Sequence, residues 1–272
     1  MQSLIIFLAV ILILLIISWI GLRIKPKPFK PFSPPPKETR SLPLPDDLPA
    51  PVERFYRQVY GERVPDITSA VVSGRARLRL PSKRGITFPA RFRFIHEAGK
   101  DYRHVIQVTF FGLPLFTVNE YYLDNRSRME LPFSVSEGSK VDQGANLALW
   151  AEAMWFPSLW VGDPRARWQA IDDETALLTV PYREEQQRIL VRFDPETSLL
   201  GIMESMRFKG QDQQQKTLWL NEALAWKSID GKLLPTVGAV TWFDESKPWA
   251  FFTVDEVVYN INVETPLQEK GE

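Results

Sequence analysis

The sequence predicts a mainly β fold of the α+β type, a curved antiparallel half-barrel sheet wrapped around a helix and preceded by a transmembrane helix. Three observations predict this fold. Residues Leu4 to Leu22 form an almost unbroken apolar run. Segments that alternate apolar and polar residues recur with turn residues between them, which is typical of an antiparallel sheet that curls or closes. One later segment, Asn146 to Phe156, has the composition of a buried helix.

The apolar run is long enough to cross a hydrocarbon core of about 30 Å as a helix. We therefore expect residues 4–22 to lie in the lipid bilayer and residues 1–24 to form a single-pass anchor in the cell membrane. A cleaved signal peptide would need a basic start and small residues before the cut. Met1-Gln2-Ser3 carries no charged side chain, and Ser18-Trp19-Ile20-Gly21 lacks the cleavage pattern, so a retained anchor is favoured.

The side of the membrane on which the remaining chain lies stays open. Arg23, Lys25, Lys27 and Lys30 follow the apolar run, and the positive-inside rule places such a flank in the cytoplasm. A resemblance described below favours the extracytoplasmic side instead.

Composition excludes several classes of function. The chain has 33 basic and 33 acidic residues, so no electrostatic feature predicts binding to nucleic acid. It has no cysteine, which excludes disulfides, thiolate metal ligands and thiol nucleophiles. No cofactor is expected, and the sequence names no protein partner.

The chain beyond the anchor divides by composition. Ten of its 22 prolines lie between Pro26 and Pro51, and such a density favours extended polyproline II. Residues 25–47 are therefore predicted to form a semi-rigid spacer, residues 48–262 the half-barrel domain and residues 263–272 a polar tail.

The half-barrel domain is predicted to open with a helix and continue with strands. The apolar residues Val52, Phe55, Tyr56, Val59 and Tyr60 share one helical face, and Gly61 ends that helix. Strands are predicted over residues 76–80, 88–94, 105–111, 115–123, 168–171, 176–182, 189–193, 201–208, 218–229, 233–243 and 251–259. Asp230-Gly231 is a strong two-residue hairpin signal.

The helix predicted over Asn146 to Phe156 is rich in Leu, Ala and Met and is followed by Pro157, which ends helices. Because apolar residues surround it on nearly every side, it should be buried on most faces. We expect it to fill the concave side of the curved sheet.

A catalytic signature is not found in the sequence. The two histidines, His96 and His104, lie on predicted strands and are interpreted as strand residues on a solvated face or a core edge. Without thiols they make a poor metal site unless carboxylates contribute, so no metal residue and no catalytic residue is predicted. Asp172-Asp173-Glu174 is interpreted as a hairpin turn.

Two features have both a structural and a functional interpretation. Glu152 lies within the apolar helix, where it forms either a water-facing stripe or a buried, functional carboxylate. Eight of nine tryptophans lie between Trp150 and Trp249, and they form either an ordinary core or a groove for an acyl chain. The candidate groove residues are Trp150, Glu152, Met154, Trp155, Trp160 and Trp168.

Several strings carry a resemblance: residues 48–56 (LPAPVERFY), Asp142-Gln143-Gly144 with residues 149–157 (LWAEAMWFP), residues 167–173, and residues 226–235. They resemble an uncharacterised bacterial family, known only as a domain of unknown function, whose members are often membrane-attached. The resemblance implies a half-barrel like that of lipoprotein carriers over residues 48–259. It implies no activity, so no catalytic residue is carried over.

Three hypotheses about function follow. The first is a membrane-anchored, non-catalytic domain that binds a lipid, an acyl chain or another apolar ligand. The second is a membrane-tethered scaffold that docks a protein, and the third is a hydrolase-type enzyme that uses Glu152 or the Asp172-Asp173 pair. An apolar cavity of several hundred Å³ beside Trp150 and Trp155 would favour the first hypothesis.

Overall fold

The structure is a computed structural model that describes residues 2–32, 39–81 and 85–269. Helix α1 (Gln2–Gly21) is long and apolar enough to cross a membrane, and its side chains are almost entirely exposed. The Pro34-Pro35-Pro36 run of the predicted spacer lies outside the described residues.

Fifteen strands follow α1 in the described part of the chain. They are β1 (Ser41–Pro43), β2 (Arg63–Pro65), β3 (Ser69–Leu80), β4 (Ile86–Glu97), β5 (Asp101–Phe110), β6 (Leu113–Leu123), β7 (Arg126–Leu131), β8 (Ser134–Glu137), β9 (Arg167–Ala170), β10 (Thr175–Tyr182), β11 (Glu185–Phe193), β12 (Leu200–Arg207), β13 (Thr217–Ile229), β14 (Lys232–Trp242) and β15 (Ala250–Tyr259).

Thirteen of these strands form one antiparallel sheet in the order β8-β7-β6-β5-β4-β3-β15-β14-β13-β12-β11-β10-β9. The sheet is not closed, because β8 and β9 lie at its two edges without pairing to each other. The predicted fold class is confirmed. Each predicted strand is present, and Asp230-Gly231 forms the hairpin turn between Ile229 and Lys232 with positive φ at both residues.

Helix α2 (Ala50–Tyr60) confirms the predicted opening helix and ends at Gly61, whose φ is +76°. Its apolar face packs against the domain: Phe55 contacts the rings of Phe193 and Trp226, with centroids 5.4 and 5.8 Å away. The Tyr56 hydroxyl donates a hydrogen bond of 2.6 Å to the carbonyl of Pro157. Helix α2 therefore packs both on the sheet and on Pro157, which follows the helical segment of residues 139–155.

The central helix α3 runs from Ser139 to Ala151, and a 3₁₀ turn continues it over Glu152–Trp155. The predicted start at Asn146 was therefore wrong by two turns, because residues 139–145 are too polar and glycine-containing to be recognised as helix. The helix lies on the concave side of the sheet, as predicted, but it covers that side only in part. Asp142 accepts hydrogen bonds from the Ser127 amide of β7 and from Arg183 in the β10–β11 turn, at 2.7 and 2.6 Å.

The two ends of the domain differ from the predicted boundaries. Part of the predicted spacer lies along the convex face of the sheet, where the Phe29 ring lies 4.2 Å from the Arg91 guanidinium, and β1 pairs with β2. Two short helices, α4 (Leu159–Gly162) and α5 (Glu264–Gln268), complete the fold. Residues 263–269 of the predicted polar tail include α5, which buries Leu267.

Phe55→Ala should lower the free energy of unfolding by about 3–5 kcal/mol, because it removes a fully buried ring among aromatic neighbours. Phe133→Ala makes the same chemical change at a fully exposed ring and should alter stability by no more than about 0.5 kcal/mol. Denaturant unfolding of the detergent-solubilised chain, followed by tryptophan fluorescence, measures both. Equal losses in the two variants would contradict the burial of α2.

A cavity with a buried charged wall

A cavity of about 790 Å³ lies between the central helix and the concave face of the sheet. Its apolar lining comes from both sides of the half-barrel and from the end of the helical segment. Representative lining residues are Phe94, Val108, Val118, Met154, Trp155, Trp219, Trp242, Trp249 and Phe252. A volume of this size is typical of pockets for small molecules and lipid chains.

The cavity opens at one rim of the sheet. Its mouth is lined by apolar residues from strand ends and a turn. They are Leu80 at the end of β3, Leu115 near the start of β6, Leu131 at the end of β7 and Phe133 in the β7–β8 turn. Three neighbouring strand connections lie at this rim, because alternate turns of an antiparallel sheet share one end. The mouth is therefore bordered by hairpins that expose apolar side chains.

Helix α1 ends at the same rim. The Phe111 amide, in the β5–β6 turn, donates a hydrogen bond of 3.0 Å to the carbonyl of Gly21. A Cβ atom at Gly21 would lie 2.6 Å from the rings of Phe110 and Phe111, so only glycine permits this close approach. The apolar helix and the cavity mouth consequently lie at the same end of the domain.

One wall of the cavity is charged. Glu152 follows α3 directly, and its Oε2 atom lies 2.7 Å from His104 Nε2 and 3.2 Å from His96 Nε2. The histidines lie on the adjacent strands β4 and β5, where Phe94 pairs with His104 and His96 pairs with Tyr102. All three groups are buried or nearly so.

Two further groups extend this wall. Glu120 on β6 accepts a hydrogen bond of 2.6 Å from the Tyr102 hydroxyl and lies 3.9 Å from His104 Nδ1. The sheet has two flanks, one containing β4 to β8 and the other containing β9 to β14. Arg207, the last residue of β12, lines the cavity from the second flank, opposite the histidines. We call Tyr102, His104, Glu120, Glu152 and Arg207, together with His96, the charged wall.

Burial and pairing act in opposite directions on the charged wall. Burial alone would lower the pKa of His104, but the Glu152 and Glu120 carboxylates outweigh it and raise that pKa to about 9. Burial alone would raise the pKa of Glu152, yet His104 and His96 lower it to about 2. The pKa of His96 is lowered by burial. His104 and Glu152 therefore form a buried ion pair at neutral pH.

The structure corrects two interpretations of the sequence. His96 and His104 do not lie on a solvated face or at a core edge, because the alternation of β4 and β5 directs both rings to the concave side. Glu152 is not a water-facing stripe of its helix, since its side chain is only 16% exposed and contacts both histidines. Asp172-Asp173-Glu174 is a turn, as predicted, closed by the bond from Ile171 N to Thr175 O.

The candidate groove residues divide into two groups. Glu152, Met154 and Trp155 line the cavity, whereas Trp150 and Trp160 are core residues joined by a hydrogen bond of 2.9 Å. Trp168 packs on Trp160 away from the cavity. Trp219, Trp242, Glu120 and Arg207 line the cavity without being predicted, because only strand pairing brings them to α3.

A metal ion could be held by part of the charged wall. His96, His104 and Glu152 each offer one ligand atom, and these atoms lie within 4.8 Å of one another. Two imidazoles and one carboxylate are a set that binds zinc in proteins. The same atoms already form an ion pair, so a metal would have to displace the proton of His104.

Comparison with known proteins identifies the family of the chain. Residues 38–254 match the model of DUF6544, a family of unknown function. The chain belongs to this family. The resemblance to an uncharacterised family is thereby confirmed. Among curated proteins, none matches the chain.

Three solved structures are similar to most of the chain. A LolA superfamily protein from Nitrosomonas europaea has a TM-score of 0.48 and 11% identity, covering 81% of this chain and 96% of its own. A putative outer membrane lipoprotein-sorting protein domain from Vibrio parahaemolyticus has a TM-score of 0.43 and 10% identity, covering 80% and 94%. A DUF1329 family protein from Desulfovibrio piger has a TM-score of 0.43 and 13% identity, covering 80% and 98%. At these scores the likeness carries no argument about function.

The His104–Glu152 pair should make stability depend on pH. Because the pKa of His104 is raised in the folded state, the stabilisation is complete below about 6.5 and is lost as the pH rises through about 9. The free energy of unfolding should fall by up to about 3 kcal/mol over this window. Thermal unfolding across the window measures it.

His104→Gln should flatten the pH profile between these values, because the titrating group is gone. His96→Gln is the matched control: the pKa of His96 is lowered, so removing this histidine should leave the decline above pH 6.5 in place. A decline that persists in His104→Gln would contradict the assignment to this ion pair.

Proposed function

We propose that the chain is a membrane-anchored binding protein whose half-barrel holds a lipid, an acyl chain or another apolar ligand. The single observation that carries this proposal is the cavity of about 790 Å³. A fold that needed only stability would fill this space with side chains, since protein interiors are close-packed and cavities are costly. Apolar walls favour an apolar occupant, because water finds few partners on them.

The position of the mouth supports loading from the bilayer. The same rim carries the end of α1 and exposed apolar residues, of which Leu113 and Phe133 are the most exposed. Exposed apolar patches of this kind mark interaction sites. Once α1 lies in a membrane, its contact with the β5–β6 turn holds the mouth at the membrane surface, so an apolar ligand reaches the cavity without crossing water.

Val118→Trp should abolish ligand binding, because Val118 lines the cavity and an indole would occupy the space. The detergent-released chain, purified from its own host, is examined by native mass spectrometry. The unaltered chain should carry a lipid-sized adduct that Val118→Trp lacks.

Thr117→Trp is the matched control. Thr117 pairs with Gln107 and points to the convex face, because neighbouring strand residues alternate sides. The adduct should persist in this variant. Recovering the unaltered chain without any adduct, or an adduct that Val118→Trp retains, would count against the cavity as the binding site.

The orientation of the mouth can be tested by cysteine labelling, since the chain has no cysteine. A bimane dye on Phe133→Cys should be quenched by spin-labelled lipids in nanodiscs, because this residue lies at the rim. Lys100→Cys is the control: Lys100 is exposed at the opposite end of β5, roughly 30 Å away along the strand, and its dye should stay unquenched. Equal quenching at the two positions would refute the orientation.

A further inference from the structure

Arg207 is the one member of the charged wall that comes from the far flank of the sheet. Its side chain crosses toward α3 at Gly144, where a Cβ atom would lie 2.6 Å from the Arg207 Nη2 atom and 2.8 Å from Nε. Glycine within a helix costs about 1 kcal/mol relative to alanine. Gly144 lies at the helix position where any larger side chain would overlap the Arg207 guanidinium.

Two tryptophan rings lie against the guanidinium of Arg207. The Cζ atom of Arg207 lies 4.5 Å from the Trp219 ring and 5.6 Å from the Trp242 ring. Contacts with aromatic faces hold an arginine without using its N–H donors. The donors at the edge of the guanidinium thus remain for another partner, and Arg207 lines the cavity.

In the described part of the chain, Arg207 has no ion pair and no hydrogen bond from its side chain, and its Nε atom is buried without an acceptor. The two carboxylates of the charged wall have nearer partners. Glu120 contacts Tyr102, and Glu152 contacts His104 and His96. The Arg207 side chain is half-buried, its Nε atom has no acceptor, and Glu120 and Glu152 attract it only from beyond contact distance. A buried donor without an acceptor is costly, which points to an acceptor supplied by a ligand.

From this geometry we infer that Arg207 binds the anionic headgroup, a carboxylate or a phosphate, of an amphiphile whose acyl chain occupies the apolar cavity. The inference rests on the proposed function and narrows its ligand class. Carboxylates and phosphates match the guanidinium fork, because two parallel N–H donors meet two oxygens. The adjoining lining of Phe94, Val108 and Trp155 receives the chain.

Three photoreactive probes with the same chain test the headgroup: hexadecanoate, hexadecyl phosphate and hexadecanol, each with a mid-chain diazirine. The full-length protein in phosphatidylcholine nanodiscs is irradiated with each probe over a concentration series. Peptide mass spectrometry then locates the label. At least one anionic probe should label cavity-lining peptides at a concentration about tenfold lower than the alcohol does, because one charge-assisted hydrogen bond raises affinity by about that factor. Whichever anion labels at the lower concentration identifies the headgroup.

Arg207→Gln should raise the concentration of the anionic probe needed for half-maximal labelling about tenfold and leave labelling by hexadecanol unchanged. Arg188→Gln is the control, because Arg188 is exposed on the neighbouring strand β11. Labelling by hexadecanol also reports whether Arg207→Gln retains a folded cavity. If that variant does not fold, the ratio of anion to alcohol in the unaltered chain decides the question alone.

Equal labelling by anions and alcohol in the unaltered chain would overturn the headgroup assignment while the proposed function stands. Undiminished anion labelling in folded Arg207→Gln would overturn it in the same way. If no probe labels the cavity of the unaltered chain, the proposed function fails together with the inference.

Discussion

One helix covers only part of the concave face of the thirteen-stranded sheet, and the cavity and its charged wall lie in the part that α3 leaves open. An apolar sheet face must be covered to be stable, and here the cover is incomplete. The space that remains is the cavity of about 790 Å³. The aromatic residues of β13 and β14 face this space from one flank, and Phe94 and Val108 face it from the other.

The charged wall is the second consequence of this arrangement. Charged groups persist inside proteins only when partners compensate their lost hydration. His104, Glu120 and Glu152 meet that condition by contacting one another and Tyr102. Arg207 has only the contacts of two tryptophan rings and the longer-range attraction of Glu120 and Glu152, and in the described part of the chain its side chain makes no hydrogen bond or ion pair.

Much of the fold could be predicted from the sequence, because local patterns determine it. Alternation identified the long strands, and Asp230-Gly231 identified its hairpin. The short strands β7 and β8 and the start of α3 were not predicted, since residues 126–145 are polar and have no clear periodicity of apolar residues. Helix α3 gains its first turns from tertiary bonds, such as those of Asp142, rather than from apolar periodicity.

The site was harder to predict than the fold, because its members are distant in sequence. Met154 and Trp155 could be chosen from the helix alone, whereas Trp150 and Trp160 turn toward the core. Glu152 was open to two interpretations until strand register placed His96 and His104 beside it. Nothing local distinguishes Arg207 from other strand arginines. The glycine at position 144 was a signal, but only the packing of β12 on α3 explains it.

The bonds that Asp142 makes to both flanks of the open sheet take the place of the strand pairing that would close a barrel. Ser127 and Arg183 lie on opposite sides of the gap between the sheet edges, and one carboxylate ties them together. Side-chain bonds of this kind break and re-form far more readily than a strand ladder. At this gap the two flanks are therefore held together through side chains, so that opening the gap would break no strand pairing.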